Sequence, residues 1–153
     1  MNIKQTLTIE RIEKGSSLAD EFISFVENSS WEDAKEHIAA MVRNWVFTDW
    51  EAMFVAKADD RIIAMVSVMK TDYYPLPEIY PWVSCIFVTE EYRGRKISGD
   101  LISHANRYLK DLGFDKSYIP TEYIGLYEHY GYSYLMDIEN YGGGIDRLYV
   151  KEL

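Results

Sequence analysis

Three cations and two glycines crowd the run Arg93-Gly94-Arg95-Lys96-Ile97-Ser98-Gly99, which the apolar segment Trp82 to Val88 reaches through Thr89-Glu90-Glu91-Tyr92. A strand that turns through such a run into a helix suits a phosphate-bearing ligand. The first turn of a helix leaves backbone N–H groups without internal partners and carries a partial positive charge, so an anion placed there gains hydrogen bonds and dipole together. Arg93, Arg95 and Lys96 add full charges. Other chemistry has little support. His37, His104 and His129 are scattered and no His-Glu-x-x-His or paired-cysteine pattern exists, so no metal is expected. Cys85, inside the apolar segment, reads as a small buried hydrophobe.

The elements that must position the basic run follow from periodicity. Ile97, Leu101, Ala105, Tyr108, Leu109 and Leu112 recur at three-and-four spacing, predicting a long helix that Gly113 ends. Ser117-Tyr118-Ile119 is a further strand, so strand, helix and strand form a crossover with parallel strands whose carboxyl ends receive the ligand. Upstream, Gln5 to Ile12 alternates as an opening strand. Two helices are expected next, capped at Ser17-Leu18-Ala19-Asp20 and Ser30-Trp31-Glu32-Asp33, with Trp45 and Val46 on the second stripe. Trp50 to Lys57 and Ile62 to Met69 form a hairpin through Ala58-Asp59-Asp60-Arg61. The loop Thr71 to Pro81, rich in proline and tyrosine, borders a substrate cleft, and two strands around Gly142-Gly143-Gly144 close the chain.

From Ile86 to Tyr132 the chain resembles the GNAT superfamily, the acyl-CoA-dependent N-acyltransferases. Their pyrophosphate loop reads Arg/Gln-x-x-Gly-x-Gly/Ala ahead of a long helix. Here Arg93 takes the first position, Lys96 stands at the fourth in place of glycine, and Ser98 holds the sixth with Gly99 directly behind it. Leu126-Tyr127-Glu128-His129-Tyr130-Gly131-Tyr132 resembles the family's Leu-Tyr-Glu-x-x-Gly-Phe signature, in the expected order and separation.

The resemblance implies one α/β (α+β) domain over residues 1–153, a GNAT-type mixed and largely antiparallel sheet with a splayed parallel pair, flanked by helices. It implies acetyl-CoA as co-substrate, its diphosphate held by Arg93, Gly94, Arg95, Lys96, Ile97, Ser98 and Gly99. The pantetheine arm would enter the gap between the splayed strands and pair with main-chain groups of Ile86 and Val88, as an added strand does. A backbone N–H near Ile86 or Phe87 would meet the oxyanion, and Tyr127 would be the acid for the thiolate. The implied activity is acetyl transfer to a primary amine by direct attack. The alternatives are a non-catalytic CoA-binding regulator and an acetyltransferase of protein amino termini or lysines.

Such an attack needs the free amine, which at pH 7 costs a lysine-like ammonium about 4.6 kcal/mol. The family often places a Glu on the strand before the loop, but Trp82 to Val88 has none. Glu78, Asp72 and Glu122 remain, and Glu122 is preferred because it ends the strand that should open into the cleft.

At 153 residues the chain buries a core without staples, and its single cysteine excludes an internal disulfide. The net charge of −9 argues against nucleic acid and for a small cationic amine or a peptide amine. Met1 to Gln5 lacks a signal-peptide core and no run is long enough to span a bilayer, so a cytoplasmic protein without membrane association is expected, with a homodimer possible.

Overall fold

A computed structural model describes residues 7–153. Seven strands form one sheet: β1 (Leu7–Arg11), β2 (Ala52–Ala58), β3 (Arg61–Met69), β4 (Trp82–Val88), β5 (Lys116–Thr121), β6 (Ser133–Glu139) and β7 (Ile145–Glu152). Their order is β1-β2-β3-β4-β5-β7-β6, antiparallel throughout except for β4 beside β5. Helices α1 (Ser17–Glu27) and α2 (Lys35–Arg43) cover one face, and α3 (Ile97–Asp111) covers the other. The sheet is the mixed, splayed and helix-flanked arrangement that the sequence implied. Among the described residues no helix is long and apolar enough to cross a membrane.

Burial on both faces explains the apolar composition of the central strands. Phe54, Ala56, Val66 and Val68 pack toward α3, while Met53, Val55 and Met65 pack toward α1 and α2. Asp59 and Asp60 both take positive φ, 50° and 64°, between β2 and β3, and aspartate tolerates the left-handed region such a tight hairpin requires. Gly113, at φ 99°, closes α3: its N–H donates to Lys110 O and the N–H of Phe114 to Leu109 O. This pairing satisfies the last carbonyls of the helix.

Several boundaries differ from the sequence reading. Gln5 and Thr6 of the opening strand lie outside the described residues. The cap of α1 is Ser16, not Ser17: its hydroxyl accepts from Ala19 N and donates to Glu13 O. Ser30 caps nothing, because its hydroxyl donates to the Glu90 carboxylate, and α2 begins only after Ala34 without a side-chain cap. Trp45 lies beyond α2 with φ 44°, where it packs edge-on against Phe47.

Two irregularities shape the middle of the sheet. Trp82 and Tyr118 are the one registered pair joining β4 to β5, supported by the Tyr118 N–H to Pro81 O bond of 3.0 Å, and beyond them the strands part. The second is a bulge in β4. Met65 faces Phe87 and Ser67 faces Ser84, so β4 carries one residue more than β3 across this interval, and Cys85 takes φ 53° there.

The second turn of α3 is anchored by Leu101, fully buried against the sheet. Leu101→Ala is expected to cost about 2–5 kcal/mol. The check is a denaturant titration, which should show a lower midpoint at an unchanged slope.

Candidate active site

The basic run folds as a strand-to-helix joint. After Val88 a short 3₁₀ turn, Glu90–Tyr92, leads to Gly94 at φ 79°, and Lys96 precedes α3 at φ 62° and ψ 23°. Lys96 therefore holds the left-handed conformation that glycine adopts most easily, and it supplies the turn despite its Cβ. The first intrahelical bond runs from Asp100 N to Lys96 O, so the N–H groups of Ile97, Ser98 and Gly99 come before the helical ladder begins. A cavity of about 260 Å³ opens at this point, lined by Val88, Tyr92, Arg93, Gly94, Lys96, Ile97, Ser98, Leu126 and Tyr130.

Six of the predicted cofactor residues thus share one cavity wall: Val88, Arg93, Gly94, Lys96, Ile97 and Ser98. Gly99 stands beside them with a packing role. A Cβ there would meet Tyr130 Cε1 at 2.6 Å, so only glycine lets that ring close on the helix, with its hydroxyl 3.2 Å from Ser98 Oγ. Arg95 is exposed, its guanidinium 5.0 Å from the centre of the Tyr92 ring. Arg93 folds back, donating from Nε to Val88 O at 2.8 Å.

Ile86 and Val88 lie along the parted edge. The N–H of Thr89 donates to Ile63 O on β3, and in a planar trans peptide the Val88 carbonyl must then point the opposite way, toward the gap. Phe87 alternates with them. It pairs with Met65, and its ring lies on the α1–α2 face, stacked 5.9 Å from Trp31.

The signature after β5 forms a 3₁₀ turn, Tyr127–Tyr130. Leu126 and Tyr130 reach the cavity, whereas Tyr127 packs behind it with ring centres 6.5 Å from both Tyr130 and Tyr149. Burial, followed by the neighbouring Tyr123, Tyr130 and Tyr132, pushes its phenol up to about 12.

Glu122 is exposed, one residue past β5. It lies within electrostatic reach of Tyr74, as do Asp72 and Asp146. The Tyr74 hydroxyl donates to Asp146 Oδ2 at 2.7 Å, and its ring stacks on Trp82, where β4 and β5 part. Asp72 accepts from Tyr73 N–H and from the Ser84 hydroxyl beside the bulge. Burial raises the Asp72 carboxyl above its ordinary range, while those hydrogen bonds and His37 on α2 pull against it. Burial first, and Asp72 next, push the Cys85 thiol up to about 12, so it is not a nucleophile at neutral pH. On the α1–α2 face an open cleft of about 680 Å³ carries Glu21, Glu32 and Glu90 together with Arg61 over Phe25 and Phe87.

Sequence reasoning named Asp72 among the acids and Tyr74 in the loop expected to border the cleft, but missed Asp146 and Ser84 as their surroundings. It also missed the bulge, since no glycine or proline marks Trp82 to Val88.

Residues 49–134 match the family model described as an acetyltransferase (GNAT) domain. The chain belongs to the GNAT acetyltransferase family. No curated protein matches it in sequence. Among solved structures it is similar to an aminoglycoside 6′-acetyltransferase of type Ii, at 15% identity and TM-score 0.72, covering 95% of this chain and 96% of that one. It is also similar to an aminoglycoside 6′-N-acetyltransferase complexed with coenzyme A, at 13% identity and TM-score 0.71, covering 95% and 96%. A spermidine N-acetyltransferase from Vibrio cholerae aligns at 16% identity and TM-score 0.65, covering 95% and 93%. At such identities the likeness is one of fold.

In this GNAT domain the left-handed Lys96 separates backbone from charge. Lys96→Gly removes a conformational cost of about 1–2 kcal/mol and should raise Tm, whereas Lys96→Ala keeps the Cβ and should leave Tm close to that of the wild type. Thermal unfolding of both variants checks this.

Proposed function

We propose that this chain transfers an acetyl group from acetyl-CoA to a primary amine on a cationic acceptor, by direct attack of the amine on the thioester. One juxtaposition carries the reading. A parted strand edge runs from the cavity at the head of α3 to a group of carboxylates around Tyr74. In this reading the diphosphate rests on the N–H groups of Ile97, Ser98 and Gly99, with Arg93, Gly94, Arg95 and Lys96 supplying charge and room. The pantetheine arm pairs with the open main chain of Ile86 and Val88, with Phe87 directed to the acceptor side. The thioester then lies at the bulge, where the Ile86 N–H meets the oxyanion.

Two carboxylates serve the amine. Asp72 is partly buried, so its raised carboxyl is the stronger base and narrows the deficit of about 4.6 kcal/mol that an ammonium of pKa 10.4 brings to pH 7. Glu122, at the rim, draws the cation in and passes the proton to solvent. Asp146 adds charge to the same group.

Tyr127, by its place in the signature, is the group proposed to meet the departing thiolate. A phenol near 12 is a weaker acid than a free thiol near 8.5 by about 5 kcal/mol, so its part is to donate a hydrogen bond to the thiolate rather than to complete a proton transfer. Replacing it should therefore cost a moderate factor.

Thiol release from acetyl-CoA in the presence of polyamines, aminoglycosides and amino-terminal peptides tests the activity. Release that depends on a cationic amine is expected, and no release with any amine class would overturn the reading. Asp72→Asn should lower kcat/KM by about 10²-fold and remove the acid limb of the pH profile. That limb should have its midpoint above 3.8, because burial raises Asp72 and the base works only when ionised. Tyr127→Phe should lower kcat about tenfold with CoA affinity unchanged. An unaltered kcat would remove Tyr127 from the mechanism.

A further inference from the structure

Arg93 is the predicted first residue of the phosphate loop, yet its side chain is engaged by the protein itself. Nε donates to Val88 O at 2.8 Å, a terminal nitrogen lies 3.7 Å from Glu90 Oε1, and the guanidinium carbon is 5.4 Å from the centre of the Phe87 ring. Glu90 is held in turn by the Ser30 hydroxyl from the connection between α1 and α2. Val88 O is not an arbitrary acceptor. It is the carbonyl that points into the gap left by β5, and Val88 and Arg93 line the same cavity.

We propose that Arg93 is a specificity latch that makes use of the parted strand edge conditional on a diphosphate in the loop cavity. The proposal rests on the acetyl-CoA reading above. While the cavity holds no anion, the guanidinium covers the main-chain acceptor that an amide-bearing arm needs for strand-like pairing. A diphosphate entering the cavity offers Arg93 charged, bidentate oxygens, which outcompete a neutral carbonyl. The ion pair with Glu90 opposes this exchange only weakly, since the two side chains are 53% and 59% exposed. Val88 O is then released to the arm. A carbonyl keeps a second lone pair, so the latch shifts affinity by a factor and does not exclude the arm outright. The consequence is discrimination: thioesters on a diphosphate-bearing carrier reach the edge, and phosphate-free thioesters are disfavoured.

The test is calorimetry on the full chain with three probes: pantetheine, inorganic pyrophosphate and CoA. For the wild type, saturating pyrophosphate should tighten pantetheine binding by roughly threefold to tenfold, the worth of one charge-assisted bond at a half-exposed site. In Arg93→Ala, pantetheine alone should bind tighter than it does to the wild type by a similar factor, pyrophosphate should add nothing, and CoA should bind more weakly. The opposite signs for pantetheine and CoA separate a latch from a plain phosphate ligand, and the pyrophosphate arm on the wild type needs no variant to fold. CoA binding to the wild type without a pyrophosphate effect on pantetheine would overturn the latch alone, as would pantetheine binding to folded Arg93→Ala no tighter than to wild type. Absence of CoA binding to the wild type would overturn the acetyl-CoA reading and the latch with it.

Discussion

Beyond the Trp82 and Tyr118 pair, β4 and β5 cease to be neighbours, and every feature of the site follows from that parting. Main-chain groups in a sheet are donors and acceptors that must find partners, so a strand edge opened in the middle of the sheet is costly unless something else satisfies it. At Val88 O Arg93 does so. The bulge in β4 adds to the effect, because Cys85 at positive φ bends the strand at the level of Ser84 and Asp72. Neighbouring elements hold the gap open. Trp82 is fully buried and stacked on Tyr74 at its base, and Leu101 fixes the helix head against the sheet at its upper end.

Charge is divided along the parted edge in a way that fits the two proposed substrates, which differ in sign. Arg93, Arg95 and Lys96 stand at the head of α3, in a chain whose net charge is −9. Carboxylates gather around Tyr74, where Asp72, Asp146 and Glu122 meet, while Glu90 pairs with Arg93 itself. In the proposed reading, an anionic carrier and a cationic amine are drawn to different ends of one parted edge, with their reacting groups meeting at the bulge.

Much of the scaffold was legible in the residues themselves. The α3 stripe, the Gly113 stop, the hairpin at Asp59-Asp60 and the limits of β4 all follow from local period and turn chemistry, which act within a few residues. The less legible features depend on tertiary partners. Ser30 looks like a helix cap until Glu90, sixty positions away, takes its hydroxyl. Trp45 fits the α2 stripe but leaves the helix to pack on Phe47. The bulge carries no glycine to announce it, and a parallel pair reduced to one registered position has no local signature at all. In the site, the loop residues converged because they are contiguous, whereas the carboxylates around Tyr74 come from three separate segments and only Asp72 and Glu122 were named beforehand.

Amide-resolved hydrogen exchange with and without CoA examines the parted edge most directly. The account predicts that CoA protects the amides of Ile86 and of Ile97, Ser98 and Gly99 together, leaving the distant β1 and β2 unchanged. Protection confined to another surface, or none at these four positions when CoA is bound, would contradict it.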